Sequence, residues 1–256
     1  MALDEAEDPD EFLDQAEALM GAAGAGRNGG ATEEEEDSVD LAVVQNRARA
    51  SLEDLRQFYE QGYGHVDDID EHGRTALMYA SYQNMPEHMA YLLEFAANVN
   101  AQDVHGCSAL FFACLCGHVD LVEMLLDSGA DIFSCNDNGA TPLFVACQKG
   151  HAECVELVLE HAAGLSDVPL SSKPPKSKQD LRKMHKSNPH LHFLIEARVM
   201  PNHPEGNPRT GATPALCAAQ EGHVDCLRLL WRFGANLTVR ADGGATPLIV
   251  ASQVLS

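Results

Sequence analysis

The chain has 256 residues, 39 acidic against 17 basic side chains, a net charge of −22 and eight cysteines. That charge argues against phosphate-backbone binding by the chain as a whole. No apolar run is long enough to span a bilayer, and the N-terminus lacks the basic and apolar regions of a secretory leader. A reduced, intracellular, soluble protein is the expectation.

Residues 1–39 are acidic, Gly/Ala-rich from Gly21 to Gly30, and carry an unbroken block from Glu33 to Asp37. Such composition buries too little apolar surface to offset ordering entropy and predicts a disordered acidic tail. Within it, Phe12, Leu13, Ala16, Leu19 and Met20 have helical spacing, the pattern of an amphipathic segment that folds onto a partner or of a transient helix. Two helices are predicted over Leu41–Ala48 and Leu52–Glu60, polar on one side, as expected of a terminal cap over 40–69.

A repeated unit follows. The stretch Asp103–Cys135 predicts a turn, a short helix over Ala109–Cys116 capped by Ser108, a bend at Gly117, and a second helix over Val119–Asp127. Leu121, Val122, Leu125 and Leu126 share one face of that second helix. Neither helix can bury its face alone. A shift of 33 residues supplies neighbours: Gly73, Gly106 and Gly139 share the spacing, as do Thr75, Ser108 and Thr141, and Ala80, Ala113 and Ala146. The ladder resumes with Gly211 and Gly244, Thr213 and Thr246, and Ala218 and Ala251. Units are therefore placed at 70–102, 103–135, 136–163 and 208–240, with a shortened one at 241–256.

Between the third and fourth units the spacing exceeds one period by 39 residues. This stretch, 164–207, holds a basic cluster of Lys173, Lys176, Lys178, Arg182, Lys183 and Lys186, then apolar helical sequence over Leu191–Val199 after Ser187-Asn188-Pro189. It reads either as a degenerate repeat behind a basic loop or as a wholly extruded loop. The first is preferred, because an interrupted stack would expose helix faces. The chain ends just past the first helix of its last unit, as a shortened form of a longer protein would.

A 33-residue period of this pattern resembles the ankyrin-repeat family from about residue 40 onward. The resemblance implies an all-α solenoid of turn–helix–helix units, with no enzymatic activity and no cofactor. It implies a protein partner held on the concave face by a chain acting as a monomer. Carried onto this sequence, it points to Tyr79, Tyr82, Phe112, Leu115, Val145 and Gln148 on the first helices. Tyr82 and Leu115 are the more exposed of these; Tyr79, Phe112 and Val145 either face the partner or pack between helices. His72, His105 and Asn138, with Glu71, Arg74, Val104 and Asp137, would form the rim of turn tips. His118, His151 and His223 match the family's structural Gly-His position. Asn100, in Asn98-Val99-Asn100, matches the asparagine that is hydroxylated in some family members, against the plainer reading of a turn asparagine.

Cys114 and Cys147 share a position held elsewhere by Ser81, Ala219 and Ser252, which marks them as small buried groups rather than metal ligands or disulfides. A larger assembly such as a ubiquitin ligase is an alternative setting. Binding of nucleic acid or an acidic surface through 173–186 is a second alternative.

Overall fold

The computed structural model describes residues 51–165, 178–196, 212–240 and 244–254. The readings made for the acidic tail and for Leu41–Ala48 lie outside them. Twelve helices fall among the described residues: α1 (Leu52–Glu60), α2 (Ala76–Tyr82), α3 (Pro86–Glu94), α4 (Ala109–Cys116), α5 (Val119–Asp127) and α6 (Pro142–Lys149). They continue as α7 (Ala152–Gly164), α8 (Lys178–Ser187), α9 (Pro189–Glu196), α10 (Pro214–Gln220), α11 (Val224–Arg232) and α12 (Pro247–Val254).

The local causes recur. Thr75, Ser108, Thr141, Thr213 and Thr246 each accept a hydrogen bond from the backbone N–H three residues on, which starts the inner helices. Pro142, Pro214 and Pro247 occupy first-turn positions, where a missing N–H costs nothing. Helices α2, α4, α6 and α10 each then turn into an outer one, respectively α3, α5, α7 and α11. Gly117 and Gly150 make that bend at φ of 77° and 81°, a left-handed geometry that suits glycine. Asn84 makes the equivalent bend in the first unit at φ 55°, which asparagine tolerates through its short polar side chain.

Helices α2, α4, α6, α10 and α12 pack side by side as an inner row, and α1, α3, α5, α7 and α11 as an outer row behind it. One apolar core runs from Leu55 to Ala235, and half-buried Val250 of α12 packs against it. The inner row passes directly from α6 to α10. The long stretch between these two therefore adds no helix to the inner row among the described residues. Its apolar part forms α9, beginning at Pro189, and buries Leu191, Leu194 and Ile195 against α7 and α10. Helix α8 lies on α9, and its Met184 sits over the Gly234 turn, where a Cβ would be 3.0 Å from the sulfur.

Side-chain straps also join consecutive turns between outer and inner helices. Asp67 accepts from Asn98 N at 2.7 Å, and Asn100 accepts from Asp131 N at 2.8 Å. At the interrupted position, Glu196 at the end of α9 accepts from Asn236 N at 2.9 Å. The inserted helix thus supplies the bond that a preceding repeat provides elsewhere.

A Cβ added at Gly150 would lie 2.6 Å from the His223 ring. Gly150→Ala is accordingly expected to cost about 2–4 kcal/mol, from combined clash and positive-φ strain. Ala96 is exposed and sits at φ 61°, so Ala96→Gly should gain about 0.5–1 kcal/mol. Urea unfolding of the two variants measures both.

Candidate protein-binding surface

The turns between repeats are built by one residue each. Asp70 Oδ1 accepts from His72 N and Arg74 N, at 2.9 and 2.8 Å. Asp103 Oδ1 accepts from His105 N and Cys107 N, at 3.0 and 2.7 Å. Asn136 Oδ1 does the same for Asn138 N and Ala140 N. These side-chain acceptors fold each turn into a narrow finger. Neighbouring fingers are then joined by their backbones: Val104 N donates to His72 O and Asp137 N to His105 O, both at 2.9 Å.

The fingertips carry Glu71-His72, Val104-His105 and Asp137-Asn138. Their side chains are exposed or half-buried, with Val104 57 % exposed. The structure brings the predicted rim residues His72, His105 and Asn138 into equivalent places on adjacent fingers. Arg74 does not join them. It is buried, its Nε 3.8 Å from Asp103 Oδ2, because the next finger offers a carboxylate to receive it. Burial pushes the Asp103 carboxyl above the usual range; the N–H groups of Cys107 and His105, and then Arg74, oppose this.

The first-helix positions divide differently from the sequence expectation. Tyr79, Phe112 and Val145 are all buried, and Tyr79 O–H donates to Asp70 Oδ2 at 2.6 Å. Leu115, expected to be exposed, is only 4 % exposed, because α4 is flanked by α2 and α6 and backed by α5. Tyr82 and Gln148 remain half-buried, and Tyr82 meets Phe112 edge-to-face with centroids 6.4 Å apart. From α2 to α10 the accessible strip of the inner row is therefore Tyr82, Gln83, Cys116, Gln148, Lys149 and Gln220. Ile69, 58 % exposed on the leg of the first finger, was missed, since an isoleucine beside a turn carries no sequence signal for exposure.

The same strip carries the bonds that lock one repeat to the next. His118 Nε2 lies 3.1 Å from Tyr82 O, His151 Nε2 3.1 Å from Leu115 O, and His223 Nε2 3.1 Å from Gln148 O. Carbonyls only accept, so each Nε2 holds the proton. Burial, ahead of the neighbouring His118, His223 and Lys149, lowers the His151 pKa, while the bond to Leu115 raises it.

All eight cysteines are free, and six are buried. Burial drives the Cys114 and Cys147 thiols well up, and takes Cys116 to about 12 and Cys154 and Cys226 to about 11. They pack as small apolar groups and are poor nucleophiles. No group of three or more His, Cys, Asp or Glu suited to a metal occurs among the described residues. Asn100 is exposed, but its side chain is tied at both ends: Nδ2 donates to Gly129 O at 3.2 Å, opposite the bond from Asp131.

Paired helices with fingers bonded tip to tip define a repeat solenoid whose variable surface is its fingertips and inner strip. The family described as "Ankyrin repeats (3 copies)" matches residues 41–135, "Ankyrin repeats (many copies)" matches 117–159, and "Ankyrin repeat" matches 210–242. The chain belongs to the ankyrin-repeat family. No curated protein gives a significant match to it. Ankyrin repeats generally mediate protein–protein interaction and are typically non-enzymatic. Among the described residues, no helix is long and apolar enough to cross a membrane.

Asn136 shows that an amide can build the finger, so Asp103→Asn should keep the turn while losing the ion pair with Arg74. Asp103→Ala also strips the acceptor from the N–H groups of His105 and Cys107 and should cost about 2–3 kcal/mol more than Asp103→Asn by chemical denaturation. Unfolded histidine takes its proton near 6.5, while folded His151 resists it until lower pH. Unfolding then gains a proton, so the His151 contribution is intact above about pH 6.5 and shrinks as pH falls below it. The stability slope between about pH 7 and pH 5 should flatten in His151→Gln.

Proposed function

We propose that this ankyrin stack is a non-enzymatic, intracellular adaptor that holds a protein partner against its fingertips and inner strip. One observation carries the reading. Residues that recur at equivalent repeat positions are committed to the stack: Asp70, Asp103 and Asn136 fold the fingers, and the three histidines join repeats. The tip pairs Glu71-His72, Val104-His105 and Asp137-Asn138 differ from repeat to repeat and remain accessible. A rigid scaffold presenting varied, accessible groups at regular intervals suits recognition of an extended protein surface.

Tyr82 is the aromatic anchor of that surface, half-accessible and fixed in orientation by its edge-to-face contact with Phe112. Val104 supplies an apolar contact at the second fingertip, flanked by the polar side chains of His72 and His105. Leu115 drops out as an anchor because it is buried. His72, His105, Asn138 and Gln148 stay as polar contacts at the rim.

Affinity capture with the full chain tests this. Proteins retained by the native chain should be lost, by about tenfold or more in affinity, with Tyr82→Ala combined with Val104→Asp. They should be kept with Glu123→Ala combined with Asp127→Ala on the outer row. Equal retention by all three chains, at unchanged melting temperature, would place the binding surface elsewhere.

A further inference from the structure

The outer row is charged in a graded way. Exposed acids stand in register from repeat to repeat, as Glu87, Asp120 and Glu153 in one column and Glu94, Asp127 and Glu160 in another. Beyond α7 the sign reverses. Helix α8 carries Arg182, Lys183 and Lys186 on exposed side chains, and these form no ion pair among the described residues. The two arginines of α11 are already engaged, Arg228 with Asp225 and Arg232 with Glu156, each at 2.9 Å. The α8 cations are thus a concentrated basic surface on which Asp180 is the helix's single acid, in a chain of net charge −22. The segment 173–186 holds six of the 17 basic residues of the whole sequence.

The complementary charge is present in the same sequence. Residues 1–39 contain thirteen acids and a single base, Arg27. We propose that the basic face of α8 is the docking site of this acidic N-terminal segment, in the same chain.

Three arguments favour this occupant. The first is charge: along the outer row the segment is repelled by each acidic column, and α8 is the basic surface it reaches beyond them. The second is reach. The path from α1 runs past α3, α5 and α7 to α9 and then α8, five helix-to-helix steps and so at most about 50 Å at roughly 10 Å each. The roughly 34 residues between Glu17 and Ser51 can extend to about 110 Å, so the acids of residues 4–17 are within reach of α8. The third is effective concentration. A tether that can span the gap makes the contact intramolecular, which lets a weak electrostatic contact be populated without a second molecule. Docked in this way, the segment screens the basic surface from free polyanions, and its release exposes that surface.

Zero-length carbodiimide coupling of the full chain, read by mass spectrometry at about 50 mM salt, tests the contact directly. Lys183 and Lys186 should couple to carboxylates of residues 4–37. The yield should be independent of protein concentration and fall severalfold at about 0.5 M salt. Coupling only to the acids of α7 or α11, or a yield that rises with protein concentration, would overturn the proposal.

A second measurement uses a single-stranded DNA oligonucleotide as the polyanion. The full chain with Asp4, Asp8, Asp10 and Asp14 changed to Asn and Glu5, Glu7, Glu11 and Glu17 to Gln should bind it about tenfold more tightly than the native chain, and the added Arg182→Glu, Lys183→Glu and Lys186→Glu changes should abolish the gain. Equal binding by native and tail-neutralised chains contradicts docking and identifies α8 as an open polyanion surface instead.

Discussion

The stack depends on one hydrogen bond made three times. A histidine at the start of an outer helix reaches into the preceding repeat and donates from Nε2 to the carbonyl of Tyr82, Leu115 or Gln148. At two of these joints the ring fills the space left by a glycine in the repeat it grips: His151 lies over Gly117 and His223 over Gly150. Glycine is thus required there twice over, for the left-handed bend of its own chain and for the close approach of the next. Successive repeats thus join socket to plug, while the first, with Asn84-Met85 in place of glycine and histidine, supplies only a socket. The coupling runs between nearest neighbours, as a one-dimensional array requires.

With the helices locked in this way, the fingers have little freedom left. Their legs are held by an Asp or Asn acceptor, their tips by a backbone bond to the adjacent finger, and the first two by the buried pair Arg74–Asp103. Side chains at the tips are therefore displayed from a stiff support, which lowers the entropy lost when a partner engages them. The acidic columns of the outer row face the other way. The two long faces of the solenoid differ in chemistry, one varied and partly apolar, the other strongly negative.

Much of this was legible in the sequence. Helices α4 and α5 begin and end where Ser108, Gly117 and the apolar spacing place them, because capping and bending are local. The buried cysteines were legible from their alternation with serine and alanine at one repeat position. Which side of an inner helix meets solvent was not. Helix α4 buries seven of its eight residues, so it carries no polar face from which orientation could be read, and Leu115 looked as accessible as Tyr82. Arg74 was misread for a similar reason: charge implies exposure until a partner from the next repeat neutralises it. For the insertion, residue spacing revealed that the period is broken, but the layer that receives α9 depends on which outer helices leave room for it.

The bond from His223 to Gln148 spans 75 residues, whereas its two counterparts span 36. Closing a loop about twice as long adds only about 0.6 kcal/mol of chain entropy. The interruption is thus nearly free in equilibrium terms, but it turns a local contact into a distant one. On the ribosome, the first repeats can assemble as they emerge, while α10 and α11 must wait for the whole insertion to be synthesised before finding their socket. The seam between α6 and α10 divides the molecule in time although nothing divides it in space.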